Sequence, residues 1–147
     1  MADIEERFIR WQGHTLSQLS ITLSLLSGLS VAGLGLSLAL LQKDNFKPEG
    51  VFAALFLIAL ASLLVASFSS VAATVTRLLD FRLTAKKVRD GEIDEPLTMF
   101  GVTANGWGRA TWRLFWCTAL SLLVAIAALC ISVANVYLGP LLYAAGH

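Results

Sequence analysis

Residues 50–76 read GVFAALFLIALASLLVASFSSVAATVT, an unbroken stretch without a formal charge, and that length decides the fold. At 1.5 Å per residue a helix of this size reaches about 40 Å, more than the roughly 30 Å of a bilayer's hydrocarbon core. Hydrocarbon offers no partner to a backbone amide, so an isolated spanning segment has to be a helix, whose hydrogen bonds close within itself.

The same character recurs on both sides of this stretch. Thr15 to Gln42 is uncharged, and so is Leu114 to Gly139. Between the first two runs lies only Lys43-Asp44-Asn45-Phe46-Lys47-Pro48-Glu49, a short polar turn. The expected fold is therefore all-α: a polytopic membrane protein with three transmembrane helices, at about 15–42, 50–76 and 114–139, in one membrane domain over 1–147. Gly139-Pro140 is expected to end the third helix.

Composition agrees. Only 14% of the 147 residues are charged and 56% are hydrophobic, with mean hydropathy +0.72, whereas soluble domains carry about 25% charged residues. The formal net charge of +1 gives no support to nucleic-acid binding. The opening Met1-Ala2-Asp3-Ile4-Glu5-Glu6 is acidic where a signal peptide is basic, so the first span reads as retained.

Arginine and lysine set the expected direction. Arg7 and Arg10 precede span one. Arg77, Arg82, Lys86, Lys87, Arg89, Arg109 and Arg113 lie between spans two and three, against only Lys43 and Lys47 in the first loop. The positive-inside rule then places the N-terminus and segment 77–113 in the cytoplasm and the C-terminus opposite. The expected location is the bacterial inner membrane, multi-pass. Trp11, Trp107, Trp112 and Trp116, with Arg77, are the expected anchors at the inner interface, and Tyr137 and Tyr143 mark the outer one.

Ile4, Phe8 and Trp11 share a helical face with Glu6 and Arg10 paired on the polar side, which predicts a short N-terminal interfacial helix. Span two is expected to continue as a charged cytoplasmic helix and to stop at Asp90-Gly91. Glu92 to Gly108 reads as loop, with Asn105 or Thr111 capping the approach to span three.

Small residues recur inside the spans at alternating three- and four-residue steps. Span two has Ala59, Ser62, Ala66, Ser69, Ala73, Thr76 and Asp80; span three has Thr118, Ser121, Ala125, Ala128, Ser132, Asn135 and Gly139. Span one has Ser17, Ser20, Ser24 and Ser27, with Gly28, Ala32, Gly35 and Ala39 on a neighbouring stripe. A mean step of 3.5 keeps a stripe facing one partner. In lipid, small residues bring backbones close and hydroxyls add modest hydrogen bonds. These seams point to helix packing, within the chain or between chains. The span-one serines, beside Gln18 and Thr22, also suit the lining of a wet pore, which would need several chains to close.

No catalytic constellation is present. The spans contain no charged residue of the kind that marks proton relays or pumps. His14 and His147 stand alone, and no metal or cofactor is expected. Asp90, Glu92, Asp94 and Glu95 lack the glycine and closing glutamate of a calcium loop. Cys117 and Cys130, 13 positions apart on one helix, cannot pair within it and read as small packing residues, with Cys117 near a boundary where palmitoylation occurs. Lys86, Lys87, Arg89 and Arg82 form a juxtamembrane basic cluster suited to anionic lipid. Two close helices with a charged helical extension resemble in outline the SLATT membrane effectors of bacterial conflict systems; the third span departs from that outline.

The function expected from these residues is that of a non-enzymatic membrane protein acting through helix association. It would be a structural, assembly or accessory subunit in a homo-oligomer or larger membrane complex. The alternative is a homo-oligomeric pore or ion channel lined by the span-one serines. The topology is testable in a chain with Cys117 and Cys130 changed to serine. A membrane-impermeant thiol reagent added outside should label Asn45→Cys and miss Thr84→Cys, and the reverse pattern would invert the assignment.

Overall fold

The computed structural model describes the backbone of residues 2–90, 98–99 and 102–145, and the side chains of 17–84, 102–103 and 106–138. It is a three-helix membrane bundle. Helix α1 covers Ala2–Leu41, α2 Val51–Asp90 and α3 Ala104–Ala145; a two-residue hairpin, β1 Thr98–Met99 and β2 Val102–Thr103, precedes α3. Each helix holds a run long and apolar enough to cross a membrane: Ser17–Leu41, Val51–Thr84 and Gly106–Leu138, with mean hydropathies of 1.9, 2.6 and 2.5.

Several boundaries differ from the sequence-based expectation. The N-terminal stretch is helical but continuous with span one, with no break between an interfacial helix and the span. Helix α3 begins at Ala104, so Gly106, Trp107 and Gly108 belong to its first turns and not to a loop. The hairpin pairs Thr98 with Thr103 and Met99 with Val102 antiparallel. Thr103 ends it as the cap of α3: its Oγ1 accepts from Gly106 N at 3.4 Å. Gly106 is needed there, because a Cβ would come within 2.6 Å of Val102 Cγ1. At the other end α3 runs past Gly139 and Pro140 to Ala145. A proline removes one backbone bond, and a helix in lipid tolerates that loss. The side chains of Ile4, Phe8, Trp11, Asn105, Lys86, Lys87 and Arg89, and the acidic stretch 92–95, lie outside the described residues.

The interior inverts the order of a soluble core. The fully enclosed side chains include Thr118, Ser30, Ser37, Ser70 and Ser132, joined by Ala59, Ala66, Ala73 and Ala125, while Phe68 is 74% and Leu123 63% exposed. Small residues are inside because contact distance, not apolarity, distinguishes a neighbouring helix from lipid.

Helices α2 and α3 form the most extensive interface, α1 packs mainly on α2, and α1 barely meets α3. Where α1 and α2 approach, a Cβ at Gly33 would lie 2.9 Å from Leu63 Cδ2. Gly50 opens α2 in the left-handed region at φ 56°. The polar turn before it carries one buried residue, Phe46. Its ring packs on Phe56 at 5.1 Å between centroids, with Leu40 in the same cluster and Leu129, Val133 and Val136 against it. This loop side chain is thus the stopper that joins all three helices at one end. Phe46→Ala should lower stability by about 3 kcal/mol in mixed-micelle unfolding, while Lys47→Ala, on an exposed neighbour, should leave it unchanged.

Candidate functional site: the helix seams

The seam residues of spans two and three meet. Ala59, Ala66 and Ala73 are completely buried, as are Ala125, Thr118 and Ser132, with Ala128 at 5%. Hydrogen bonds cross this seam at three levels. Near the charged end, Thr76 and Thr111 hydroxyls lie 2.9 Å apart. Further along, Ser69 Oγ donates to Cys117 Sγ at 3.6 Å. At the far end, Ser132 Oγ shares its proton between Ala128 O at 2.8 Å and Phe52 O at 3.2 Å. From Phe52 to Thr76 is about 36 Å along a helix, so the ties fix the antiparallel register over the full span.

Most hydroxyls are also satisfied by their own helix. Ser30 donates to Leu26 O, Ser37 to Gly33 O, Ser67 to Leu63 O, Thr118 to Leu114 O and Thr111 to Trp107 O, at 2.8–3.0 Å. Bonding back one turn removes the cost of a bare hydroxyl in hydrocarbon. A serine can then serve as a small spacer with its polarity already spent.

Helix α1 departs from the expected pattern. The stripe that packs against the bundle is Leu19, Leu23, Leu26, Ser30, Gly33, Ser37 and Leu40, in alternating four- and three-residue steps and each buried or half-buried. Ser17, Ser20 and Ser24 are exposed and Ser27 half-buried, while Gly28, Ala32, Gly35 and Ala39 are exposed. Nothing lies within 4 Å of a Cβ placed at Gly28 or Gly35. These two sets run together as one outward face of small residues along α1. Beside it, where α1 and α3 diverge, an apolar groove of about 240 Å³ opens between Leu29, Gly33, Leu36, Leu63, Leu122 and Ile126.

The remaining residues sort by position. Ser69 and Ser132 are buried in the α2–α3 seam; Ser62, Ser121 and Asn135 are half-buried at its margin. Both cysteines are exposed, although Cys117 contacts Ser69. Thr111 is a seam partner of Thr76 and not a helix cap. Arg77 is half-buried, with its guanidinium over the Phe81 ring at 5.6 Å from the centroid. Asp80 reaches α3: its Oδ2 is 3.8 Å from a Cβ built at Gly108, within the first turns of α3, where the helix dipole favours a negative charge. The expected tryptophan anchors divide. Trp112 and Trp116 are exposed, whereas the Trp107 indole nitrogen is buried and meets no acceptor among the described residues. Trp11 lies outside the described side chains. Among the described residues no cluster of histidine, cysteine or carboxylate side chains has the makings of a metal site.

No family model, curated protein or solved structure matches the chain. The most extensively packed helix pair is α2 with α3, a second departure from the SLATT outline of two close leading helices.

Two predictions test this seam. Ala66→Leu should force α2 and α3 apart and collapse the thermal transition, whereas Val65→Leu, on an exposed neighbour, should be neutral. A double-mutant cycle of Thr76→Val and Thr111→Val should return a coupling of about 0.6 kcal/mol, the usual size for an interhelical hydroxyl pair in a bilayer.

Proposed function

We propose that the chain is a non-enzymatic subunit of a membrane assembly and works by helix–helix association through the outward face of α1. The observation that carries this is the face itself: a row of small residues, Ser17, Ser20, Ser24, Gly28, Ala32, Gly35 and Ala39, bordered by the exposed Ile21 and Val31 and covered by no other described part of the chain. On α2 and α3 the small-residue seams are consumed by packing within the chain. On α1 a second set is left over, and small residues in a lipid-facing row gain contact only from another helix. The distribution of arginine and lysine supports a cytoplasmic N-terminus and a C-terminus on the far side of a bacterial inner membrane.

A second reading is a homo-oligomeric pore lined by Ser17, Ser20 and Ser24. The exposure of these serines favours it, since hydroxyls wet a conduit without the cost of a buried charge. One chain of three helices encloses no conduit, so this reading requires a closed ring.

Particle mass in native nanodiscs separates the readings. A larger co-purifying complex is expected for the subunit and a ring of identical chains for the pore; a lone monomer with no companion would sink both. Gly28→Leu with Gly35→Leu should abolish association while leaving the chain's own melting temperature within a few degrees. In a ring, Ser24→Asp should change ion preference in liposome flux, and a conductance indifferent to it would remove span one as the lining.

A further inference from the structure

One face of α3 passes from charge to aromatic to aliphatic surface in a single line. Arg109, Trp112, Arg113 and Trp116 stand at i, i+3, i+4 and i+7, and all four are exposed. The line continues into Leu120 and Leu123, 57% and 63% exposed. It lies on the side of α3 away from α2, which is met by the buried Thr111, Thr118 and Ala125. The indoles are held in place: the Phe115 ring meets both Trp112 and Trp116 edge-on, with centroids 5.7 Å apart in each case.

Two arginines stand together on this face. One turn apart on a helix, their Cβ atoms are separated by about 6 Å, and like charges at that spacing repel. Among the described residues neither has an ion-pair partner. They stand at the start of the uncharged run of α3, where the surrounding medium changes from water to hydrocarbon. A bound anion there would relieve their mutual repulsion. The guanidinium fork suits phosphate oxygens, and indole N–H groups prefer the headgroup level. The distance from Arg113 to Leu123 is about 15 Å along the axis, enough for a headgroup, a glycerol backbone and the upper part of a chain.

We propose that this face of α3 binds an anionic phospholipid lengthwise. Arg109 and Arg113 hold the headgroup phosphate, Trp112 and Trp116 flank the glycerol region, and the acyl chains follow Leu120 and Leu123. Charge complementarity selects the headgroup, and the order of surfaces along the face selects a lipid over a soluble anion. The site is independent of whether α1 recruits another helix.

The test uses the full chain carrying Trp11→Phe and Trp107→Phe, so that fluorescence reports Trp112 and Trp116 alone. It is reconstituted in phosphatidylcholine vesicles containing phosphatidylglycerol, with one lipid or the other brominated. Brominated phosphatidylglycerol should quench more strongly than brominated phosphatidylcholine at equal mole fraction. That preference should fall about fivefold for each of Arg109→Gln and Arg113→Gln, with helical circular dichroism unchanged. Equal quenching by the two lipids in the parent, or a preference that survives the double substitution, would overturn the proposal. So would a loss of preference accompanied by a fall in particle mass, which would make another protein the occupant. Should the tryptophan-reduced chain not fold, native mass spectrometry of the unaltered chain counts retained lipids. Retained phosphatidylglycerol exceeding phosphatidylcholine from an equimolar mixture supports the site, and equal retention removes it.

Discussion

In hydrocarbon a polar group must find its partner within the protein, and an apolar group gains little by leaving the lipid. The rest of the molecule follows from that pair of facts. Hydroxyls of Ser30, Ser37, Ser67 and Thr118 turn back onto their own helices and become neutral spacers. With polarity settled locally, size decides what lies between helices. Alanine, serine and threonine fill the closest contacts, a few leucines and the Phe46–Phe56 pair pack beside them, and most of the remaining leucine and valine faces the tails.

The interfaces are unequal in consequence. The α2–α3 pair brings two small-residue seams together and adds hydroxyl ties at intervals along the span. Helix α1 meets α2 through a mixed stripe in which Leu19, Leu23 and Leu26 are followed by Ser30, Gly33 and Ser37 and then by Leu40. At Gly33, against Leu63, the approach is tight enough that a Cβ would collide. The loop residue Phe46 then secures the far end. The chain thus consists of a closely tied hairpin with a third helix laid against it, and that helix keeps a second small-residue face for use elsewhere.

How far the sequence made this legible depended on competition between patterns. The spans were plain, because a surface facing water cannot be built from stretches so long without a charge. The α2 and α3 seams were also plain, because each helix offers one such stripe with a mean step of 3.5, and the two stripes lie along the interface between those helices. Helix α1 was not, because it carries overlapping stripes of that same period. Its serines and glycines form the conspicuous rows, while the row that packs contains leucines indistinguishable from lipid-facing ones. The early start of α3 was hidden by Gly106 and Gly108, read as loop when Gly106 is a close approach to Val102 and Gly108 lies in contact with Asp80. Phe46 was hidden by its charged neighbours.

The short link between Asp90 and Ala104 matters most while the chain is being made. Synthesis proceeds at roughly 5–20 residues per second, so α2 waits some seconds in the bilayer before α3 is complete. Over that interval the alanine face of α2 is bare and able to pair with the α3 of another copy. A tether of this length holds the cognate α3 at an effective concentration in the millimolar range, far above that of a stray neighbour. Exchange of helices between nascent copies is thereby outcompeted, and the pairing that forms is the one within the chain.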